Sequence, residues 1–235
     1  MNTLWKHKHA VLLVALVWVG IMESFSHRRM LGSVLSDVAV STVLLFVFLI
    51  VFHRRVNRLI AFMTWATVVV VDGAHSMLPS SPEAPLRVIH HSAVLLMAGF
   101  ATLVILRNIF EQGVVRIDDV LGAMCGYLLA AVAWSNLFML IEMFSPGSFS
   151  VGPGFGASLD TWYGRIAVLN YISLGSLTSI GSGAVVPVRP PATILTTFEA
   201  VFGQFYIAVV VAQLVGARLS ARLSQASQRT IPPQA

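Results

Sequence analysis

Residues 178–187 combine alternating glycines with small polar side chains and end at a proline, and apolar segments precede and follow them. Glycine adopts φ angles of both signs, so this backbone can aim successive carbonyl oxygens toward one line. At membrane depth, irregular backbone survives only where it is buried in protein or lines a water-filled path. The pattern therefore predicts a selectivity filter that coordinates a permeant cation. Its residues would be Thr178, Ser179, Ile180, Gly181, Ser182 and Gly183.

This segment resembles the filter of the potassium-channel pore family, which reads Thr-Thr-Val-Gly-Tyr-Gly-Asp with a proline a few residues later. Pro187 and Gly203 stand where that family has its proline and its inner-helix hinge glycine. The chain is also similar to bacterial six-span channel-like proteins, whose inner helix carries Glu-Ala-x-x-Gly-Gln-x-Tyr, here at 199–206. The resemblance covers residues 120–219. It implies a homotetramer that conducts monovalent cations, K⁺ above all, with no cofactor and no catalytic residue.

Three positions depart from the family pattern, with Ser179 in place of Thr, Ser182 in place of Tyr and Ala184 in place of Asp. In the family the Tyr ring braces the filter from outside and the Asp joins a carboxylate network. Ser182 is too short to brace anything at that range, and Gly175, at the network's partner position, has no side chain. We therefore expect a cation pore with only weak preference for K⁺ over Na⁺.

The resemblance also gives Glu199 a place behind the filter, where it would support the filter by a hydrogen bond to Tyr171 or Ser176 of the pore helix. A buried polar group at membrane depth needs such a partner. The alternative is a carboxylate that reaches a water pocket or stays protonated.

The same alignment with the potassium-channel family places a surface for gating and for lining the central cavity on the inner helix. Its residues are Gly203, Gln204, Ile207 and Val211. Gly203 would act as a hinge, with a close-packing role as the alternative. Gln204 would face the cavity, with an interhelical hydrogen bond as the alternative.

Ionisable side chains gather near the external ends of the first four apolar segments. The candidates for pH or metal sensing are Asp72, His75, His90 and His91. Asp72 and His75 are three residues apart and share a helix face, and histidine with carboxylate is the composition of a metal site or a proton sensor. The plainer interpretation is that these side chains are polar groups at helix ends, hydrogen-bonded to each other or to water. The cluster gives one competing function, a metal-binding or enzymatic membrane protein. A non-conducting relative of the channel family is another.

Composition predicts an all-α integral membrane protein. The chain is 57% hydrophobic and 11% charged, with mean hydropathy +0.82, whereas soluble domains carry about 25% charged residues. The net charge of +5 comes from basic residues at the ends of apolar segments, so it indicates membrane topology and lipid headgroups rather than nucleic acid. No soluble partner is indicated, and the single Cys125 excludes a disulfide within one chain.

Six segments are long enough to span, since a crossing takes about 20 mainly apolar residues. They are 5–25, 34–52, 59–78, 86–109, 120–144 and 191–219. The shorter segment 161–177 predicts a re-entrant pore helix with Asp160 as its N-terminal cap. The Gly/Ser/Pro-rich residues 145–159 predict an external loop.

The distribution of positive charge predicts that both termini are cytoplasmic, in what the resemblance implies is a bacterial inner (plasma) membrane. Of the 15 basic residues, this topology places ten inside and five outside. Residues 1–110 would form a four-helix transmembrane domain, 111–220 the pore domain and 221–235 a short cytoplasmic tail. Segment 86–109 has only Arg87 and Arg107 at its ends, so we expect no conventional voltage sensor.

Overall fold

The computed structural model describes residues 8–25, 62, 65–67, 69–70, 83–111 and 117–229. These residues are mostly helical. The elements in chain order are α1 (Lys8–Phe25), α2 (Glu83–Glu111), α3 (Ile117–Phe144), β1 (Phe149–Val151), α4 (Trp162–Leu177), β2 (Val185–Pro187) and α5 (Pro190–Arg229).

Three of the described helices are long and apolar enough to cross a membrane. Their apolar stretches are Pro85–Glu111, Ile117–Phe144 and Pro190–Ser220, which matches the fourth, fifth and sixth predicted spans. The predicted first span corresponds to α1, whose apolar part, His9–Trp18, is shorter. The predicted span 34–52 and most of 59–78 lie outside the described residues, so the number six stays a prediction.

The helix ends follow local chemistry. Asp118 and Asp119 occupy the first turn of α3, where carboxylates meet the positive end of the helix dipole. Pro190 is the first residue of α5, a position that needs no N–H donor. The prediction that Asp160 caps α4 is wrong by one residue. Thr161 is in extended conformation, and its Oγ1 accepts the Gly164 N–H at 3.2 Å.

Helix α5 continues beyond the predicted sixth span. It ends at Arg229, so residues 221–229 of the predicted tail are helical. The sequence has neither glycine nor proline between Gly216 and Pro232, and nothing in that interval stops a helix.

The fold is not purely helical, because β1 and β2 form an antiparallel ribbon. β1 lies inside residues 145–159, which were predicted to form an external loop. Phe149 is opposite Pro187, and Val151 is opposite Val185. Backbone bonds join Val188 N–H to the Ser148 carbonyl at 2.8 Å and Gly152 N–H to the Ala184 carbonyl at 2.7 Å. In an antiparallel pair of strands, hydrogen-bonded residue pairs alternate with pairs that exchange no backbone hydrogen bond. Pro187 and Phe149 form a pair of the second kind, so the ribbon loses no hydrogen bond through the missing N–H of Pro187.

Helix α3 is the centre of the packing, since it contacts α1, α2, α4 and α5. One apolar cluster joins α1, α2, α3 and α5 around Ile105, Leu129 and Tyr206. A second joins α3, α4, α5 and the ribbon around Phe138 and Leu169. Half of the apolar stretch of α3 is buried (50%), against 17% for α5, so α5 presents most of its apolar surface to the outside of this chain.

Candidate functional site

The candidate site begins where α4 ends. Thr178 is the C-cap of α4, and its Oγ1 donates to the Leu174 carbonyl at 2.6 Å. Ser179 and Gly181 then have φ angles of 56° and 83°, and Ser179 is the only non-glycine residue with positive φ in the described part of the chain. Left-handed residues thus recur at alternate positions, the arrangement that the filter hypothesis requires of its inner half.

The outer half of the segment has a different conformation. Gly183 lacks the positive φ of Gly181. The Val185 N–H donates to the Ser182 carbonyl at 2.6 Å, and the Ser182 hydroxyl donates to the Val185 carbonyl at 2.8 Å. Residues 182–185 therefore close into a turn. The Ser182 side chain thus bonds within this turn, and the expectation that it is too short to brace the filter from outside stays a prediction.

Gly175 supports the segment through its backbone. Its carbonyl accepts the Gly181 N–H at 3.1 Å. A Cβ at Gly175 would lie only 3.2 Å from the Gly181 carbonyl oxygen, so the missing side chain lets residues 178–183 lie directly on α4. This support comes from backbone atoms alone, since Gly175 has no side chain that could join a carboxylate network.

Glu199 is fully buried (0% exposed). Its Oε1 lies 2.5 Å from the Ser173 hydroxyl oxygen, which also lies 2.9 Å from the Ala131 carbonyl. Ser173 has one hydroxyl proton, so both contacts are full hydrogen bonds only when Glu199 carries a proton and donates it to Ser173. Oε2 has no hydrogen-bond partner among the described residues. A neutral carboxyl fits this position better than a charged one.

The partner of Glu199 differs from the two predicted. Tyr171 instead packs its ring against Phe155, with centroids 5.0 Å apart, and Ser176 lies on α4 one turn beyond Ser173. Glu199 therefore does contact α4, but through Ser173.

Gly203 lies where α5 crosses the end of α4. A Cβ at this position would overlap the Leu177 carbonyl oxygen. The same oxygen accepts a hydrogen bond from the Tyr127 hydroxyl at 2.7 Å. Close packing is thus one role of Gly203, and a hinge stays a prediction.

Gln204 connects α5 to Ser179, a residue of the predicted filter. Its Nε2 donates to the Ser179 Oγ at 2.9 Å, and the contact is exposed. Ile207 and Val211 are also exposed on α5. The hydrogen bond places Gln204 next to Ser179, the first residue with a positive φ angle in this segment.

The sensing cluster is only partly described, because Asp72 and His75 lie outside the described residues. His91 is buried, and its Nδ1 lies 2.7 Å from the Asn136 Oδ1. The His90 and His91 rings are 4.9 Å apart. Within the part of the chain that the structure covers, no three His, Cys, Asp or Glu side chains converge as metal ligands, so sensing and metal binding stay predictions.

Two further carboxylate contacts were missed by the sequence reasoning. His9 Nδ1 and Asp118 Oδ2 are 2.7 Å apart and join α1 to α3. Glu142 is buried and accepts backbone N–H groups of the following loop. The rule that drew attention to Glu199, an ionisable group inside an apolar span, applies equally to Glu142.

The site offers backbone carbonyls and hydroxyls, and residues 178–188 contain no charged side chain. Oxygen ligands without formal charge suit a weakly held monovalent cation that must also leave. No protein-family model, curated protein or solved structure matches this chain.

Proposed function

We propose that the chain is one subunit of a homotetrameric cation channel of an inner (plasma) membrane, permeable to K⁺, with a preference for K⁺ over Na⁺ of less than about tenfold. The observation that carries the proposal is the alternation of positive φ at Ser179 and Gly181 directly after the end of α4. Such alternation can turn the carbonyls of Ser179 and Ile180 toward one side, as cation coordination needs, whereas the Gly181 carbonyl oxygen lies against Gly175 of α4.

The length of α4 supports a re-entrant pore helix. Its 16 residues extend about 24 Å at 1.5 Å per residue, which is less than the roughly 30 Å hydrocarbon core. A helix of this length that enters the membrane from one side ends within it. Its C-terminal carbonyls, the negative end of the dipole, lie beside the filter segment, where they favour a cation.

Assembly is supported by the surfaces that one chain leaves open. Ile180 is 84% exposed, and apolar residues of α5 such as Phe198 and Phe205 are exposed. A single filter segment cannot surround an ion, and closed rotational symmetry supplies the remaining ligands.

Weak selectivity is supported by the difference between the two halves of the filter. Ser179, Ile180 and Gly181 have the alternating conformation, whereas residues 182–185 form a turn. The inner positions can then coordinate a dehydrated cation, and the outer positions leave it hydrated.

The charges of α2 do not favour a voltage sensor. The Arg87 guanidinium lies 3.7 Å from the centroid of the Trp162 ring, and Arg107 pairs with Glu111 one turn away at 2.6 Å. Both arginines are at the ends of the helix, so they would move little charge across the membrane field.

Four copies are expected in the purified protein. Native mass spectrometry in mild detergent should give a mass of four chains, about 100 kDa from the 25.4 kDa subunit. A monomer or dimer as the sole species under these conditions contradicts the assembly.

Conduction itself is tested by K⁺ flux into vesicles that contain the purified protein, where absence of flux contradicts the proposal.

A further inference from the structure

Glu142, in the last turn of α3, is a buried carboxylate that binds a loop. It is 4% exposed. Its Oε1 accepts the Gly147 N–H at 2.8 Å, and its Oε2 accepts the N–H groups of Ser148 at 2.9 Å and Phe149 at 3.3 Å. Charge-assisted bonds to backbone N–H groups are among the strongest in proteins. The carboxylate therefore fixes the residues that lead into β1.

Those residues are bonded to the strand that follows the filter. The Ser148 carbonyl accepts the Val188 N–H, and the Gly152 N–H donates to the Ala184 carbonyl. These two bonds lie at opposite ends of the ribbon, so the whole length of β2 is held against β1. Movement of the loop bound to Glu142 would move β2 with it.

β2 is in turn joined to the outer end of the filter segment. Val185, its first residue, bonds Ser182 through both its N–H and its carbonyl. Phe149 and Val185 face inward and pack with Phe138 and Leu169 in the second apolar cluster. Three residues thus separate the inner filter position Gly181 from a ribbon anchored on α3.

We infer that Glu142 is a positioning residue for ion selectivity, acting through the β1–β2 ribbon on the outer end of the filter segment. The ribbon occupies the role that a large ring at Ser182 and a carboxylate at Ala184 would otherwise have, since it limits how far residues 182–185 can spread. The inference rests on the proposed channel function. It assigns the remaining preference for K⁺ to a carboxylate that does not contact the ion.

The test compares permeability in variants of the full-length protein in planar bilayers. Glu142→Gln preserves side-chain volume but presents an amide NH₂ to at least one backbone N–H, so at least one of the bonds is lost. The K⁺/Na⁺ permeability ratio from the reversal potential is expected to fall from its value in the unmodified protein to about 1, at which the pore no longer distinguishes the two ions. The matched control is Glu111→Gln, which removes an exposed carboxylate whose partner in the described part of the chain is Arg107, and its ratio should equal that of the unmodified protein.

A second variant leaves Glu142 in place. Val188→Pro removes the N–H that bonds Ser148 at one end of the ribbon, and it should lower the ratio in the same direction. If Glu142→Gln does not fold, this variant alone decides whether the ribbon affects the permeability ratio. Amide hydrogen exchange at residues 180–186 should accelerate in both variants, while exchange in α4 stays unchanged.

The outcomes are distinct. If the unmodified protein conducts and both variants retain its ratio, the inference is overturned while the channel function stands. If the unmodified protein passes no current, the channel function fails, and the exchange rates at 180–186 alone decide whether Glu142 holds this segment; unchanged rates overturn that as well.

Discussion

Replacement of Gly203 by alanine is expected to lower the free energy of unfolding by about 2 kcal/mol. The added methyl would overlap the Leu177 carbonyl oxygen, and backbone at the end of α4 cannot turn aside as a side chain can. The helices must therefore separate, which also weakens the bond from the Tyr127 hydroxyl to the same oxygen. Chemical unfolding in detergent, followed by tryptophan fluorescence, measures the change.

Gly216 provides the matched control on the same helix. A Cβ at Gly216 meets no atom of the described chain within 4 Å, and alanine is better than glycine in a helix by up to about 1 kcal/mol. Gly216→Ala should be neutral or stabilising. Equal destabilisation by the two variants would mean that the contact with Leu177 is not what requires glycine at 203.

Replacement of Gly181 by alanine is expected to reduce K⁺ flux more than about tenfold. Its φ of 83° costs an L-residue roughly 1–2 kcal/mol, and relief of that strain would rotate the peptide groups on either side, whose carbonyls the pore needs. Flux into vesicles, normalised to the amount of assembled protein, measures the effect.

Gly183 is the control, because it does not have positive φ and a Cβ there meets nothing within 4 Å in the described chain. Gly183→Ala should retain at least about a third of the flux, since no strained backbone is created. Loss of flux as complete as in Gly181→Ala would mean that the carbonyl ladder extends through Gly183 and that the outer turn is not the conducting conformation.

Apolar length and glycine spacing were enough to locate the helices around the site. The predicted segments at 86–109, 120–144 and 161–177 match α2, α3 and α4 within a few residues, because long apolar runs specify helices at membrane depth. The burial of Glu199 could be predicted by the same reasoning. Its hydrogen-bond partner could not be predicted, because the choice between Tyr171, Ser173 and Ser176 depends on the rotation of α4 against α5. Sequence spacing does not determine that rotation.

The ribbon could not be predicted by the same route. β1 has three residues in a loop rich in glycine and serine, too short for an alternating pattern to be visible. Its partner, β2, follows α4 in the sequence. Pairing between strands that are so far apart along the chain leaves no local signal in the sequence. The bonds of Glu142 depend on the same loop conformation. The N-cap at Thr161 rather than Asp160 is a one-residue choice between two competent caps.

The central claim, a cation pore with weak preference for K⁺, is tested most directly by the reversal potential of the purified protein in a bilayer with K⁺ on one side and Na⁺ on the other. The account predicts cation current with a K⁺/Na⁺ permeability ratio between 1 and about 10, or up to roughly 1.4 kcal/mol of discrimination. Absence of current contradicts the channel function. A ratio far above tenfold contradicts the assignment of coordination to the inner half of the filter alone, because it requires the outer residues to hold the ion as firmly as Ser179 and Ile180 do.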